Sequence, residues 1–578
     1  MTASPADRPL VLLQDGARLL DFAEPRSVIE ARDVSAVPAA LHEADRALAA
    51  GGWLAGYLAY EAAAAFSLPA RPPDPDGPPL LWLGVFDAPV ERAWPRAEPL
   101  GAPDTPWRPG LDAAAYARAV ERIKARIAAG DTYQANFTFP IEGPLDEEPF
   151  SLFARLAATQ RPRHAAYLDL GRFAIASASP ELFFRVEGGT VTTRPMKGTS
   201  PRGRTPVEDE ERAARLRASE KERAENLMIV DMLRSDLGRV AEVGSVEVAS
   251  LFDVEAYPTL LQMTSTVRAR AAGAPLSRLL AALFPCASVT GAPRVRTMEI
   301  LAAEESSPRG VYTGTIGWAA PDGRSCWSVA IRTAVADRRR GRVVYGVGSG
   351  IVADSTAEAE YAECRLKARI LEEAPFALLE TFAFLPGEGF RHLDGHLARL
   401  AGSARYFAFP FDGRRVQQTL RETAAGSRHA TRVRLLLHAD GGVDVATEPL
   451  SPPGGGRPRV GLAARPVDTR SPWLYHKTTR REAYEEARAS RPDCDEVLLW
   501  NERGEVTECS IANVVVETGG ARLTPPVSCG LLPGVERARA LAEGRVREAV
   551  IRLGDLRTGQ RLWLASSLRG VREAVFVG

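Results

Sequence analysis

The charged, proline-ended stretch Glu372-Glu373-Ala374-Pro375 reads as a short linker, with a second α/β pattern starting at Phe376 after it. The chain's 578 residues allow about four domain-sized units, or two large ones. Residues 68–110 are crowded with proline, from Pro69, Pro72, Pro73, Pro78 and Pro79 to Pro103 and Pro109. They read as loops between an N-terminal section, 1–110, and a core, 111–372. Within the core, Tyr116, Ala119, Val120, Ile123 and Ile127 recur at helical spacing, with Asp112 to cap the helix and Gly130 to stop it. Residues 164–199 alternate as strands do. Ser219-Glu220-Lys221-Glu222 is a capping box that opens an amphipathic helix running through Leu233. Strand-like runs at 311–318, 327–335 and 343–352 precede a helix with Glu360, Glu363 and Lys367 on one face. A second mixed pattern fills 376–578, where glycine-rich 453–456 reads as a loop. The fold class is therefore α/β, or α+β, in both halves.

Charge and cysteine usage exclude several functions. With 73 basic and 73 acidic residues the formal net charge is zero, which leaves no electrostatic footprint for nucleic acid or an anionic membrane. Six scattered cysteines form no CxxC pair and are too sparse for a disulfide scaffold, which points to a reduced, cytoplasmic setting. Met1 to Arg8 lack the basic-then-apolar order of a leader. The longest apolar run, Trp53 to Phe66, is interrupted by Glu61 and is too short to span a bilayer. Seven histidines show no HExxH spacing, so a zinc site is not expected.

Lysine is nearly absent. Only Lys124, Lys197, Lys221, Lys367 and Lys477 accompany 68 arginines. Arginine keeps its proton in proteins and cannot serve as an amine nucleophile. A chain this depleted is expected to retain lysine where a primary amine or a compact ammonium is needed. Lys124 reads as an exposed helix residue, and Lys221, ahead of the helix carrying Glu225, reads equally as a hold on an acidic neighbour or substrate and as a salt bridge at a helix start.

Eight stretches before the linker, within residues 50–372, together resemble the chorismate-utilising enzymes. They are Gly56-Tyr57-Leu58-Ala59-Tyr60-Glu61, Gly130-Asp131-Thr132-Tyr133-Gln134-Ala135-Asn136, Ser177-Ala178-Ser179-Pro180-Glu181 and Pro195-Met196-Lys197-Gly198-Thr199. Arg223-Ala224-Glu225-Asn226-Leu227-Met228-Ile229-Val230-Asp231, Ser288-Val289-Thr290-Gly291-Ala292-Pro293, Ala330-Ile331-Arg332-Thr333 and Gly348-Ser349-Gly350-Ile351-Val352-Ala353-Asp354-Ser355 follow. The resemblance implies a β-sandwich flanked by helices and a site for a dianion whose ring hydroxyl leaves poorly. Such a site needs a cation, a general acid and a nucleophile. The resemblance assigns Mg²⁺ to Glu225 and Glu363, with Glu222 and Glu360 three residues before each, and hard carboxylate oxygens suit that ion. It places Arg332 and Lys367 on substrate carboxylates, and Tyr312, Gly198, Thr199 and the successive amides of Gly348, Ser349 and Gly350 against the substrate. Glu181 matches the general acid for the departing hydroxyl. Lys197 selects the branch: aminodeoxychorismate synthases resemble one another in carrying lysine there, where anthranilate synthases carry a small residue. The resemblance implies that this amine attacks C2 of chorismate and that ammonia then displaces it at C4. A lysine of ordinary pKa, about 10.4, is too protonated for that, so the site must lower it. Gln262 stands where many relatives carry histidine and cannot transfer protons. No cysteine lies in a Gly-x-Cys-x-Gly context, so ammonia is expected to be free or to come from a separate glutamine amidotransferase subunit.

From 376 onward the chain resembles the fold-type IV, class IV pyridoxal-phosphate enzymes. The carriers are Leu379-Glu380-Thr381, His396-Leu397-Ala398-Arg399-Leu400, Tyr475-His476-Lys477-Thr478-Thr479-Arg480, Val506-Thr507-Glu508-Cys509-Ser510 and Leu531-Leu532-Pro533-Gly534-Val535. The resemblance implies that Lys477 bonds to the cofactor aldehyde and Glu508 pairs with the pyridine nitrogen. It implies that Arg399 grips the phosphate bidentately and that Gly534 and Val535 complete the phosphate cradle. Ser566-Ser567-Leu568 departs from the commoner Thr-Asn-Ser-Leu, so any phosphate contact near Ser567 is not carried over. It also implies a homodimer through this half. Together the halves read as a route from chorismate to 4-amino-4-deoxychorismate and on to 4-aminobenzoate and pyruvate, the folate branch. Two alternatives stay open at this point: anthranilate-type chemistry with an amino-acid transaminase, or a second half that serves only for dimerisation.

Overall fold

The computed structural model describes residues 9–16, 18–92, 94, 106–258, 260–451 and 456–578. The readings that rest on Met1 to Arg8, on Pro103 and on residues 453–455 lie outside these. By its internal contacts the chain divides into two bodies: Met1–Pro201 with Ala213–Pro375, and Arg202–Arg212 with Phe376–Gly578.

Strand alternation builds the first body. Among its described residues are two ten-stranded antiparallel sheets. One runs from Gly291–Ala292 through Gln134–Pro144, Arg342–Ile351, Thr333–Asp337, Phe173–Ser179 and His164–Asp169 to Leu10–Asp15, Arg18–Ala23 and Val90–Arg92. The other runs from Met196–Pro201 through Leu260–Arg270, Thr190–Arg194, Leu182–Glu187, Ser325–Val329 and Thr315–Ala319 to Trp53–Leu58, Leu81–Phe86 and Ser27–Ala31. Alternate residues send Val11, Leu168 and Ile175 of the first sheet into one core with Leu54, Phe183, Phe184 and Trp327 of the second, which makes a sandwich. The opposite face of the first sheet, with Phe137, Phe139, Tyr345 and Val347, is covered by the helices Ala113–Ala128, Pro149–Gln160 and Ala357–Ala368.

Local chemistry sets several boundaries. Asp112 accepts a hydrogen bond from Ala115 N at 2.7 Å and caps Ala113–Ala128, and Gly130 leaves it at φ 79°. Ser219 Oγ accepts from Glu222 N at 3.4 Å, and the helix it opens runs to Gly238, a turn past Leu233. Two readings need correction. The proline-rich stretch hides the strand Leu81–Phe86, buried along its whole length, because Pro78 and Pro79 fall just before it, where no ladder hydrogen bond is lost. Nor does the section 1–110 stand apart from 111–372. Leu10–Asp15 pairs with His164–Asp169 and Trp53–Leu58 with Thr315–Ala319, so a separate section would expose two sheet edges. Lys124 is half-buried rather than exposed, and donates to Ser355 O at 2.8 Å.

In the second body the antiparallel sheet Gly389–Phe390, Leu378–Leu385, Thr431–Leu437 and Val443–Pro449 packs against the helices Leu393–Tyr406 and Gly413–Ala424 around Phe382, Leu400, Val416 and Val433. An eight-stranded sheet with both parallel and antiparallel pairs, running from Val506–Cys509 to Arg547–Glu548, encloses a core of Val460, Leu498, Val514 and Leu564. The six cysteines are free thiols. Among the described residues no helix is long and apolar enough to cross a membrane. Phe184, wholly buried in the sandwich, is expected to cost about 3–5 kcal/mol of stability when replaced by alanine, read as a lowered urea midpoint with an unchanged slope.

Candidate active sites

One strand decides the geometry of the first site. On Arg342–Ile351 the odd residues Tyr345, Val347 and Ile351 face the helices, and the even ones, Gly346, Gly348 and Gly350, line a cavity on the other face. A Cβ on Gly346 would lie 2.2 Å from the Tyr312 ring, and one on Gly350 would lie 3.0 Å from Lys197 Nζ. Glycine at both positions lets the Tyr312 ring and the Lys197 amine lie directly on the backbone.

The cavity has about 1150 Å³ of open space and is lined by Glu181, Lys197, Gly198, Thr199, Glu225, Tyr312, Arg332, Gly348, Gly350, Glu363 and Lys367. Every residue expected for this site is there except Ser349. Its hydroxyl faces the helices and hydrogen bonds to Tyr116 Oη at 2.7 Å. The reason is strand geometry, in which neighbouring amides point to opposite edges and cannot form a continuous nest. Gly348 O accepts from Lys367 Nζ at 2.8 Å, while Asn136 N and Thr138 N of the neighbouring strand donate elsewhere, to Thr290 O and to Glu305. Gly348 and Gly350 therefore turn their amides to the open edge, beyond the reach of Thr333–Asp337, and Ser349 turns its own to the sheet.

Electrostatics tune the group. Burial pulls the Lys197 ammonium below its ordinary range; Glu225 opposes this and Lys367 adds to it. Burial lifts Glu181 to about 7, against hydrogen bonds from Ser288 and Met196 N. Burial and carboxylate neighbours raise Glu222 and Glu225. Glu363 is lowered: Lys367, 2.7 Å away, outweighs its burial. Four carboxylates thus share one wall, with Ser355 donating to Glu360 at 2.7 Å, and their mutual repulsion suits a hard cation. Among the described residues no three acidic or metal-ligating groups are already drawn into a cage. Arg332, at φ 53°, donates to Lys367 O at 2.9 Å. Gln262 clamps the strand beside it, donating to Gly198 O at 2.9 Å and accepting from Thr199 at 3.2 Å.

In the second body a cavity of about 600 Å³ gathers Arg399, Lys477, Glu508, Gly534 and Val535, with Ser567 at its wall. Lys477 O accepts from Leu379 N at 2.9 Å, which ties the lysine loop to the strand Leu378–Leu385. Burial, reinforced by Arg399, brings the Lys477 ammonium down to about 8. Burial lifts Glu508 to about 7 despite donors from Leu532 N at 2.9 Å and Tyr484 Oη at 2.8 Å, and Asn513 adds a third at 3.1 Å. Gly534 caps the helix Val535–Ala542, and a Cβ there would lie 1.9 Å from Asn513 Oδ1. Arg399 departs from the expected fork. Its Nε and Nη2 edge already holds Glu380, at 2.8 and 2.6 Å, and Nη1 reaches Pro533 O at 3.2 Å, beside Gly534. Burial alone would raise Glu380, but Arg399 and His396 bring it down to about 2.

Residues 9–373 match the family model described as chorismate binding enzyme. The chain belongs to that family. Residues 377–575 match the class IV amino-transferase model, so a domain of that family follows the chorismate-binding one. The chain is 40% identical over 314 residues to an aminodeoxychorismate synthase of Streptomyces griseus, covering 52% of this chain and 43% of that protein. It is 42% identical over 268 residues to anthranilate synthase component 1 of Streptomyces coelicolor, covering 46% and 52%. It is 41% identical over 258 residues to aminodeoxychorismate synthase component 1 of Salmonella typhimurium, covering 44% and 56%. The chain spans about half the length of these relatives. A crystal structure of anthranilate synthase component I from Streptococcus pneumoniae shares the fold, with TM-score 0.54 and 24% identity over 64% of this chain and 94% of that one.

The cavity of the chorismate-binding body also contains groups that motif reading passed over. Gly346 extends the glycine face by one step, which the two-residue period of 346, 348 and 350 would have revealed. Ser288 and Asn136 line the cavity within quoted motifs, but only the strand's facing gives them a role. In the class IV domain Glu380, Tyr484 and Asn513 hold Arg399 and Glu508. Gly350→Ala is expected to leave the protein folded and to cut chorismate consumption about 100-fold, because the new methyl displaces the Lys197 amine. Circular dichroism and a steady-state assay check both parts.

Proposed function

We propose that the chorismate-binding body aminates chorismate to 4-amino-4-deoxychorismate and that the class IV domain cleaves this product to 4-aminobenzoate, the ring of folates, and pyruvate. The observation that carries the reading is the buried Lys197 amine lying on the glycine face of the cavity. No buried arginine could replace it, because the step needs a neutral nitrogen nucleophile. Two of the relatives reported above are named aminodeoxychorismate synthases, which supports the same branch.

Glu225 and Glu363 would hold Mg²⁺, with Glu222 and Glu360 behind them, and the ion would supply positive charge for a substrate carboxylate. Lys367, whose ammonium already meets Gly348 O and Glu363, has one further N–H for a carboxylate, beside Arg332. Glu181, carrying a proton near neutrality, gives it to the departing ring hydroxyl. Lys197 attacks the ring carbon, and ammonia displaces it. The nitrogen is supplied as free ammonia or by a separate glutamine amidotransferase.

In the class IV domain pyridoxal 5′-phosphate, when bound at Lys477, supplies an electron sink. Glu508, fixed by three donors, would face its ring nitrogen; the helix start at Gly534 and Val535, with Arg399 alongside, would receive its phosphate. The Lys477 amine takes the proton from the ring carbon that bears nitrogen. The bond to the enolpyruvyl oxygen then breaks and the ring becomes aromatic. We place the homodimer contact in this half.

Chorismate, ammonia and Mg²⁺ with the cofactor-loaded protein are expected to yield 4-aminobenzoate and pyruvate in equal amounts. Lys477→Ala is expected to accumulate the amino intermediate, and Lys197→Ala to leave chorismate unused; chromatography distinguishes these, and 2-aminobenzoate as product would favour anthranilate-type chemistry. Glu181 loses its proton as pH rises through about 7, so kcat/KM for chorismate is expected to fall across that range, and Glu181→Gln to lose about 100-fold to 10,000-fold. Cofactor uptake by Lys477, followed by absorbance, is expected to quicken as pH rises through about 8, where the amine becomes neutral.

A further inference from the structure

Gln134 is the first residue of the strand Gln134–Pro144, next to Arg342–Ile351, and is 1% exposed. Its Oε1 is buried and has no hydrogen-bond partner. Leaving a carboxamide oxygen unmet costs stability, and folded proteins seldom do so away from functional sites. Its Nε2 lies 2.6 Å from the point where a Cβ on Gly350 would sit, and Lys197 Nζ lies 3.0 Å from that same point. The two side-chain ends are neighbours over one glycine. Among the described residues the Lys197 amine makes no hydrogen bond or ion pair of its own. As placed, the Gln134 nitrogen and the Lys197 amine, both donors, face one another over Gly350, while the carboxamide oxygen beside them has no donor to accept from.

We propose that the Gln134 carboxamide is the positioning residue for the Lys197 amine. A half-turn about its last side-chain bond exchanges oxygen and nitrogen with little change of shape. The oxygen then accepts one Lys197 N–H and leaves the nitrogen lone pair free to meet the ring. The inference rests on the amination reading above. In the step it serves, the lone pair forms a bond to C2, the two conjugated ring double bonds each shift by one position to C1=C6 and C4=C5, and the C4–O bond breaks. The hydroxyl takes the Glu181 proton and leaves as water, and the added nitrogen returns one proton to the Glu181 carboxylate. Without the acceptor the amine rotates freely, and fewer of its orientations point at carbon. A carboxamide does this without the fixed charge that would hold the lysine as an ammonium.

The test uses the full-length protein and two variants that keep the volume but lose the acceptor, Gln134→Leu and Gln134→Met. Chorismate is mixed with each in the absence of ammonia, and the mass gained on Lys197 is followed by quenched-flow mass spectrometry. Chorismate affinity is measured separately by tryptophan fluorescence. Adduct formation is expected to slow about tenfold in both variants while the dissociation constant stays within about twofold. An unchanged adduct rate in both variants would overturn the proposal alone, as would an affinity loss as large as the rate loss, which marks a merely structural role. Absence of any Lys197 adduct in the unsubstituted protein would instead bring down the amination reading, and this inference with it.

Discussion

Both sites depend on one interaction: a primary amine removed from water beside a cation that cannot leave. Lys197 has Lys367 near it, and Lys477 has Arg399. In each case burial is the larger effect and the neighbouring cation adds to it. Carboxylates oppose the shift, Glu225 at Lys197 and Glu380 at Lys477, and two carboxylates also hold the cations. Glu363 pairs with Lys367, and Glu380 pairs with Arg399 and His396. Those pairings hold each cation in place beside the amine. The sparing use of lysine in the sequence follows from the same physics, because only lysine, and not arginine, responds to such a field by giving up a proton.

The two bodies reach this arrangement through different architecture. In the chorismate-binding body the strand Thr333–Asp337 stops pairing at Tyr345, which leaves the Gly348 and Gly350 amides without a sheet partner on that side, and glycine at alternate positions clears space above them. In the class IV domain the lysine sits in a loop, stitched by its backbone to the strand Leu378–Leu385. A helix start and a buried carboxylate held by three donors face it. Sheet regularity positions the first lysine, and a network of side-chain and backbone hydrogen bonds positions the second.

Much of this was legible in the sequence where the signal was local. The helix Ala113–Ala128 shows its period, its Asp112 cap and its Gly130 exit within nineteen residues. The site residues cluster in short motifs, and the cavities collect nearly all of them. What stayed hidden required knowledge of facing. Ser349 sits between two cavity-lining glycines, yet its side chain belongs to the helix-covered core, and only the strand's pleat reveals that. Leu81–Phe86 was masked by flanking prolines that in fact mark its start. The Glu380 hold on Arg399 joins residues nineteen apart on different elements. The assignment of Arg202–Arg212 to the second body rests on contacts with residues such as Tyr406 and Tyr475, some two hundred positions away. No periodicity carries such information.

The glycine face of Arg342–Ile351 also limits how this cavity can diverge. A wall made of main chain offers no side chain for substitution to reshape, and any methyl added there meets Tyr312, Thr138 or Lys197. Any change of the cavity's shape is thereby left to the facing strand Met196–Pro201 and its companion Gln262, whose side chains line the same space. That asymmetry gives the fold a frozen side and a variable side, and so a way to acquire a new ring chemistry without rebuilding the cleft.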